Sequence, residues 1–227
     1  METIAERLIS AHESLVKATD KAHRATNSVQ LLAVSKTKPV SDIVQAYKAG
    51  HRLFGENYVQ EGVEKITALQ ELNDIEWHFI GPLQSNKCKL VAEHFDWVQS
   101  IDRSKIARRL NNHRSAHKLL NVLIQVNINQ ESSKAGVLPD AVNELANYIE
   151  SLPHLRLRGL MAIPKADQNE NELTQTFLQM QQLFLQLKCS YAKVDTLSMG
   201  MSADMQIAIA NGSTMVRLGT AIFGART

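Results

Sequence analysis

Residues 31–39 read LLAVSKTKP, and the fold turns on how this stretch is read. Leu31 to Ser35 form a short apolar run of the kind that becomes a buried strand. The run then meets Lys36, with Lys38 two residues on. Side chains alternate along a strand, so Leu32, Val34 and Lys36 share one face. A buried strand that hands a lysine to its own carboxyl end is one unit of a pattern, and the pattern recurs.

Seven more runs of the same kind follow: HRLFG (51–55), WHFIG (77–81), DWVQSI (96–101), NVLIQVN (121–127), RLRGLMAI (156–163), DTLSMG (195–200) and TMVRLG (214–219). Helix-like stretches lie between them, at 40–49, 57–70, 84–94, 103–114, 139–151, 170–188 and 203–211, with a short one from Thr220. Ahead of them all, Ile4, Leu8, Ala11, Leu15 and Ala18 recur at helical spacing, which predicts an amphipathic helix over residues 3–24. Ser41, Asp102 and the pair Pro139–Asp140 stand where helix starts are expected. Alternating strands and helices argue for a parallel sheet covered by helices, and eight pairs close a (β/α)₈ barrel. An open dinucleotide-binding sheet would need a glycine-rich turn after its first strand, and SKTKP is not one. The reading is a single domain over residues 1–227, with 1–30 as N-terminal helix and lead-in.

The bulk numbers narrow the function. With 25 basic and 23 acidic residues the net charge is +2, so there is no electrostatic footprint for nucleic acid. The two cysteines, Cys88 and Cys189, form neither a disulfide framework nor a metal cluster, which fits a reducing cytoplasm. The first 24 residues mix acids and bases without an apolar core, unlike a signal peptide, and no run of 18 apolar residues offers a membrane span.

In such a barrel, chemistry sits at the carboxyl ends of the strands. Lys36 is there. It is either a solvated lysine opening a loop or an amine for a Schiff base. The second use requires its ordinary pKa of about 10.4 to fall, through burial or a nearby cation such as Lys38. SMGMS (198–202) and RLGTAIFG (217–224) follow the last two strands, where barrels often hold phosphate. Gly200, Ser202, Gly219 and Thr220 have the right chemistry, though tight turns and a helix cap would use the same residues. Arg217 lies inside an apolar strand and needs a partner, either an acid or an acceptor on a ligand. Asn57 in FGENYVQEG either caps a helix or reaches a ligand. His78 reads as a core histidine, Met161 as packing and Lys134 as a loop lysine. No Asp or Glu stands beside the lysine motif as a proton shuttle, and no metal site is expected. A lysine, a phosphate cup and a buried arginine match the aldehyde, phosphate and ring nitrogen of pyridoxal 5′-phosphate (PLP).

LLAVSKTKP, FGENYVQE, EWHFIGPLQSNK, HFDWVQSID, INI with SKAG, LRLRGLMAIP, LSMGMSADM and GSTMVRLGTAIFG together resemble the pyridoxal phosphate homeostasis family, known as YggS or PROSC. The resemblance runs from about Leu31 to Arg226, with the segments in order. It implies a single barrel like the N-terminal domain of alanine racemases. It implies PLP covalently on Lys36, its phosphate at Ser202, Gly219 and Thr220, its ring nitrogen at Arg217, and Asn57 near the ring. The implied role is binding, storing or handing over the cofactor, with PLP-requiring apo-enzymes as partners and without established turnover; the lack of a dimerising β-domain separately favours a monomer. Two enzyme readings stand beside it: a PLP-dependent racemase or decarboxylase, and a Schiff-base aldolase. A racemase of this kind carries a further β-domain with a second base, and the sequence stops three residues after Gly224.

Overall fold

The computed structural model describes residues 2–131 and 134–225. Ser133 of SKAG and Arg226, the end of the family-like stretch, lie outside the described residues. Eight strands appear where the apolar runs are: β1 Gln30–Val34, β2 Leu53–Glu56, β3 Glu76–Phe79, β4 Trp97–Ile101, β5 Leu120–Val126, β6 Leu155–Ala162, β7 Thr196–Ser198 and β8 Met215–Leu218. They pair in sequence order, all parallel, and β8 returns to β1 to close the barrel. The helices are α1 Ile4–Lys21, α2 Val40–Lys48, α3 Val59–Ala68, α4 Cys88–His94, α5 Ser104–His113, α6 Val142–Glu150, α7 Glu170–Ser190, α8 Met205–Ala210 and α9 Thr220–Phe223.

The periodicity of α1 does what it predicts. Ile4, Leu8, Ala11, Leu15 and Ala18 are buried against the barrel's helical layer, where α1 contacts α2, α8 and α9. Thr3 and Glu6 form a reciprocal capping box that satisfies two amides at its start. Other helix starts differ from expectation. Pro39, with φ of −69°, is the cap residue of α2, so Ser41 sits inside the first turn. Arg103 precedes α5, and Asp102 instead accepts from the Arg103 guanidinium at 2.7 Å. Pro139 and Asp140 open a 3₁₀ turn that runs into α6.

The sheet has two unlike faces. Its outer face, with Leu31, Ala33, Phe54, Phe79, Val98 and Ile124, packs on the helices as one continuous apolar core. Fully burying a side chain such as Phe54 or Phe79 contributes about 2–3 kcal/mol. The inner face holds a small apolar cluster of Trp97, Leu123 and Met161, so Met161 is packing as expected. The inner face also carries polar side chains, His78, Gln99, Ser198 and Arg217, all buried. Cys88 is buried and Cys189 exposed, both as free thiols. Among the described residues there is no cluster of three metal-ligating side chains, and no helix is long and apolar enough to cross a membrane.

Candidate functional site

Closure of the barrel joins the two ends of the sequence. Leu32 stands opposite Arg217 and Ala33 opposite Leu218, so the carboxyl ends of β1 and β8 are neighbours. Lys36, half-buried, leaves β1 on one side of this seam, and Gly219–Thr220 leave β8 on the other. A Cβ on Gly219 would lie 3.2 Å from the Val34 carbonyl oxygen, so glycine permits this close approach. Lys38 crosses the same seam, its Nζ donating to the Ala225 carbonyl at 2.7 Å.

The turn carrying Lys36 is held from outside the barrel. Thr37 has φ of +63°, a conformation that side chains other than glycine rarely adopt. Its amide donates to Glu61 Oε1 at 2.6 Å. Ser35 Oγ donates to Glu56 Oε1 at 2.6 Å. Lys65 ties the two carboxylates together, with Nζ 2.8 Å from Glu56 Oε1, 2.6 Å from Glu61 Oε1 and 2.8 Å from the Ser35 carbonyl. Acids from β2 and α3 therefore stand beside the lysine motif although its own stretch contains none, and both are held by Lys65 rather than placed as a proton shuttle. Pairing of β1 with β2 carries Glu56 next to Ser35, and the first turn of α3 carries Glu61 to Thr37. Burial raises the Glu56 carboxyl, and the charge and hydrogen bond of Lys65 oppose that rise.

Arg217 is buried at the level where β6 and β7 end. Nη1 donates to the Ser198 carbonyl and hydroxyl, both at 2.8 Å, and Nη2 to the Ala162 carbonyl at 2.9 Å. Burial pushes its pKa down to about 10, with the charge of Asp204 working the other way, so it stays protonated near neutral pH. No ion pair to Arg217 occurs among the described residues. Among the described residues its three bonds leave Nε–H and one Nη2–H of the five guanidinium donors.

Gly219 occupies the cap position of α9 with no side-chain cap, and Thr220 is the first helical residue rather than the cap. The amides of Thr220 and Ala221 donate to no acceptor among the described residues. Ser202 is exposed in the turn after β7 and shares the wall of a cavity of about 250 Å³ with Leu218 and Ala221. Gly200 (φ +99°) begins that turn, where a Cβ would press on Ala208. Asn57 is brought to a different part of the mouth. It lines a cavity of about 430 Å³ with Ile80, Gln125, Asn127 and Lys134, and a Cβ on Gly81 would collide with its carbonyl oxygen. Lys134 is engaged there by Glu131 at 2.8 Å and the Pro164 carbonyl at 3.1 Å. A larger cavity of about 790 Å³ opens between α5 and α6 and contains none of the residues singled out from the sequence as binding a ligand.

Sequence reasoning missed the polar residues behind these groups. His78 is a satisfied core histidine, as read, but its partners Gln99 and Glu76 were not foreseen. A signal existed: in WVQSI, Gln99 shares a face with Trp97, an amide facing the barrel axis. Glu56, Glu61 and Lys65 had a weaker one, a carboxylate and a lysine four residues apart on α3.

Comparison with known proteins sets the class of this barrel. A family model described as the alanine racemase N-terminal domain matches residues 13–227. An alanine racemase from Corynebacterium glutamicum shares that fold, with a TM-score of 0.74 at 14% identity over 98% of this chain and 61% of the racemase. Within the class, the chain belongs to the pyridoxal phosphate homeostasis protein family. It is 58% identical to the Pasteurella multocida member over 99% of this chain and 98% of that one. It is 55% identical to the Escherichia coli member over 100% and 98%. PipY of Synechococcus elongatus, solved with PLP bound, superposes with a TM-score of 0.83 at 36% identity, covering 98% of this chain and all of PipY.

Proposed function

We propose that the chain holds pyridoxal 5′-phosphate in the barrel mouth and serves to keep and hand on that cofactor to apo-enzymes, acting as a monomer in the cytoplasm. Lys36 supplies the amine that forms a Schiff base with the aldehyde, water leaving as the carbon–nitrogen double bond forms. Arg217 donates to the ring nitrogen. Ser202, Gly219 and Thr220 hold the phosphate, and Asn57 borders the ring.

The observation that carries this reading is the state of Arg217. Among the described residues it is a buried cation without a carboxylate ion pair and keeps two donors in reserve, and it stands across the β1–β8 seam from the lysine strand. A neutral pyridine nitrogen is an acceptor of the right kind for such a donor. The unanswered amides of Thr220 and Ala221 fit an anion beside it. The PLP-bound relative and the naming of the family support the same ligand.

The cofactor, when bound, supplies an electron sink for carbanions. Arg217 limits that chemistry. A guanidinium does not give up its proton near neutral pH, so the ring nitrogen it meets remains unprotonated and withdraws electrons weakly. The weakened sink fits a chain that keeps the cofactor better than one that turns over amino acids. The test is direct. Protein incubated with PLP should develop an absorption band distinct from free PLP, and Lys36→Ala should lack it; spectra identical to free PLP would refute the reading. A chiral assay showing turnover near a typical 10 s⁻¹, lost in Lys36→Ala, would replace it with the enzyme reading.

A further inference from the structure

Four hydrogen bonds run through the barrel from its carboxyl-end mouth to its opposite opening. Arg217 Nη1 donates to Ser198 Oγ at 2.8 Å. Ser198 Oγ donates to Gln99 Oε1 at 2.7 Å. Gln99 Nε2 donates to His78 Nδ1 at 3.0 Å. His78 Nε2 donates to Glu76 Oε1 at 2.9 Å. Arg217, Ser198, Gln99 and His78 are buried, while the Glu76 side chain is 42% exposed at the first residue of β3.

With His78 as a neutral imidazole, every link is fixed from the glutamate end. The carboxylate only accepts, so Nε2 carries the proton, Nδ1 accepts from the Gln99 amide nitrogen, and the Gln99 oxygen accepts from Ser198. This sets the Gln99 amide orientation and puts the His78 proton on Nε2. It also rules out a serine hydroxyl that rotates freely, because its hydrogen is claimed by Gln99. Stacking of His78 on Trp97, with ring centroids 5.0 Å apart, locks the middle of the chain. Gln99 Nε2 has a further contact, 3.1 Å to Met215 Sδ, which fixes the amide from the β8 side.

We infer that Gln99, acting through Ser198, is the positioning residue that turns the two uncommitted N–H groups of Arg217 toward the ligand ring nitrogen. With Ser198 Oγ held as an acceptor, both Nη1 hydrogens are used on Ser198, and rotation of the guanidinium would sacrifice bonds at both ends of its fork. Without Gln99, the hydroxyl is free to turn its own hydrogen elsewhere and the fork loses its fixed edge. The inference rests on the proposed binding of PLP, with Arg217 as its ring-nitrogen donor.

The experiment measures affinity for PLP and for its 1-deaza analogue, which has carbon in place of the ring nitrogen, in wild type and Gln99→Met. Wild type should prefer PLP. In Gln99→Met that preference should fall roughly fivefold, as expected for one misaligned hydrogen bond, while affinity for the deaza analogue is nearly unchanged. A proportional loss for both ligands, or no change in either, would overturn the positioning role. Should Gln99→Met not fold, Ser198→Ala is read by the same ratio. Failure of wild type to bind PLP would refute the proposed function, and binding without preference would refute the Arg217 contact. Either result would take this inference with it.

Discussion

Two buried cations stand on opposite faces of the same sheet, and they are satisfied in opposite ways. Lys65, outside the barrel, spends its three ammonium hydrogens on Glu56, Glu61 and the Ser35 carbonyl. Arg217, inside, meets two carbonyls and a hydroxyl, has no carboxylate ion pair among the described residues, and retains two donors. The first arrangement is closed and can only support structure: it braces the strained turn at Thr37 and so the lysine next to it. The second is open toward a ligand. Burial alone does not separate a structural charge from a binding one; the count of donors left over does.

The comparison breaks most visibly at Lys65. Lys65→Met should destabilise the fold by about 3–5 kcal/mol near pH 8, because it leaves Glu56 buried without its counter-charge. The pH dependence carries a sign. Without Lys65, burial holds the Glu56 pKa above its unfolded value, so a proton stabilises the variant. Its deficit should shrink as pH falls toward 5 and grow as pH rises, measured by urea unfolding at both.

His51 sharpens the contrast by a third route, losing its charge. Burial lowers its pKa to about 4, against the opposing hydrogen bond to the Leu53 carbonyl, with His12 and Arg52 adding repulsion. The folded value lies below the ordinary 6.5, so the unfolded chain binds the extra proton between those values. Stability should therefore decline between about pH 6.5 and 4, by on the order of 3 kcal/mol from this group. His51→Gln should flatten that part of the profile; an unchanged profile would show that His51 does not titrate this way.

Arg217→Met should show the reverse of Lys65→Met: a smaller loss of stability, since no carboxylate is ion-paired to Arg217 among the described residues and Asp204 keeps its bond from the Met201 amide, but PLP affinity lower by about 1.5–3 kcal/mol. Loss of stability equal to that of Lys65→Met, with affinity intact, would collapse the distinction between the two cations. Thr220→Ala should cost less, about 1.5 kcal/mol in PLP affinity, because the backbone amides at 220 and 221 remain. The loss should be much smaller for unphosphorylated pyridoxal, and equal losses would argue against phosphate contact.

The fold was legible because parallel strands buried on both faces read as largely apolar runs, and each of the eight runs overlaps a strand. The helix starts were less so: Ser41 and Asp102 have capping chemistry, but the chain caps at Pro39 and Arg103. The candidate ligands Lys36, Arg217 and Gly219–Thr220 could be found because strand ends are where a barrel exposes side chains. The groups that hold them could not. Gln99 and Ser198 lie on β4 and β7, 99 residues apart, and only closure of the barrel brings them within hydrogen-bonding distance. Glu56 lies one residue beyond the run HRLFG, and the observed strand includes it.

The central claim is that Lys36, at the β1 side of the β1–β8 seam and next to the turn braced by the Lys65 cluster, is the residue that takes the cofactor. Borohydride reduction of the PLP-loaded protein, followed by peptide mass mapping, tests it most directly. The account predicts a pyridoxyl group on the peptide containing Lys36, absent from Lys36→Ala; a stoichiometric adduct on Lys38 or Lys134 with Lys36 unmodified would contradict it.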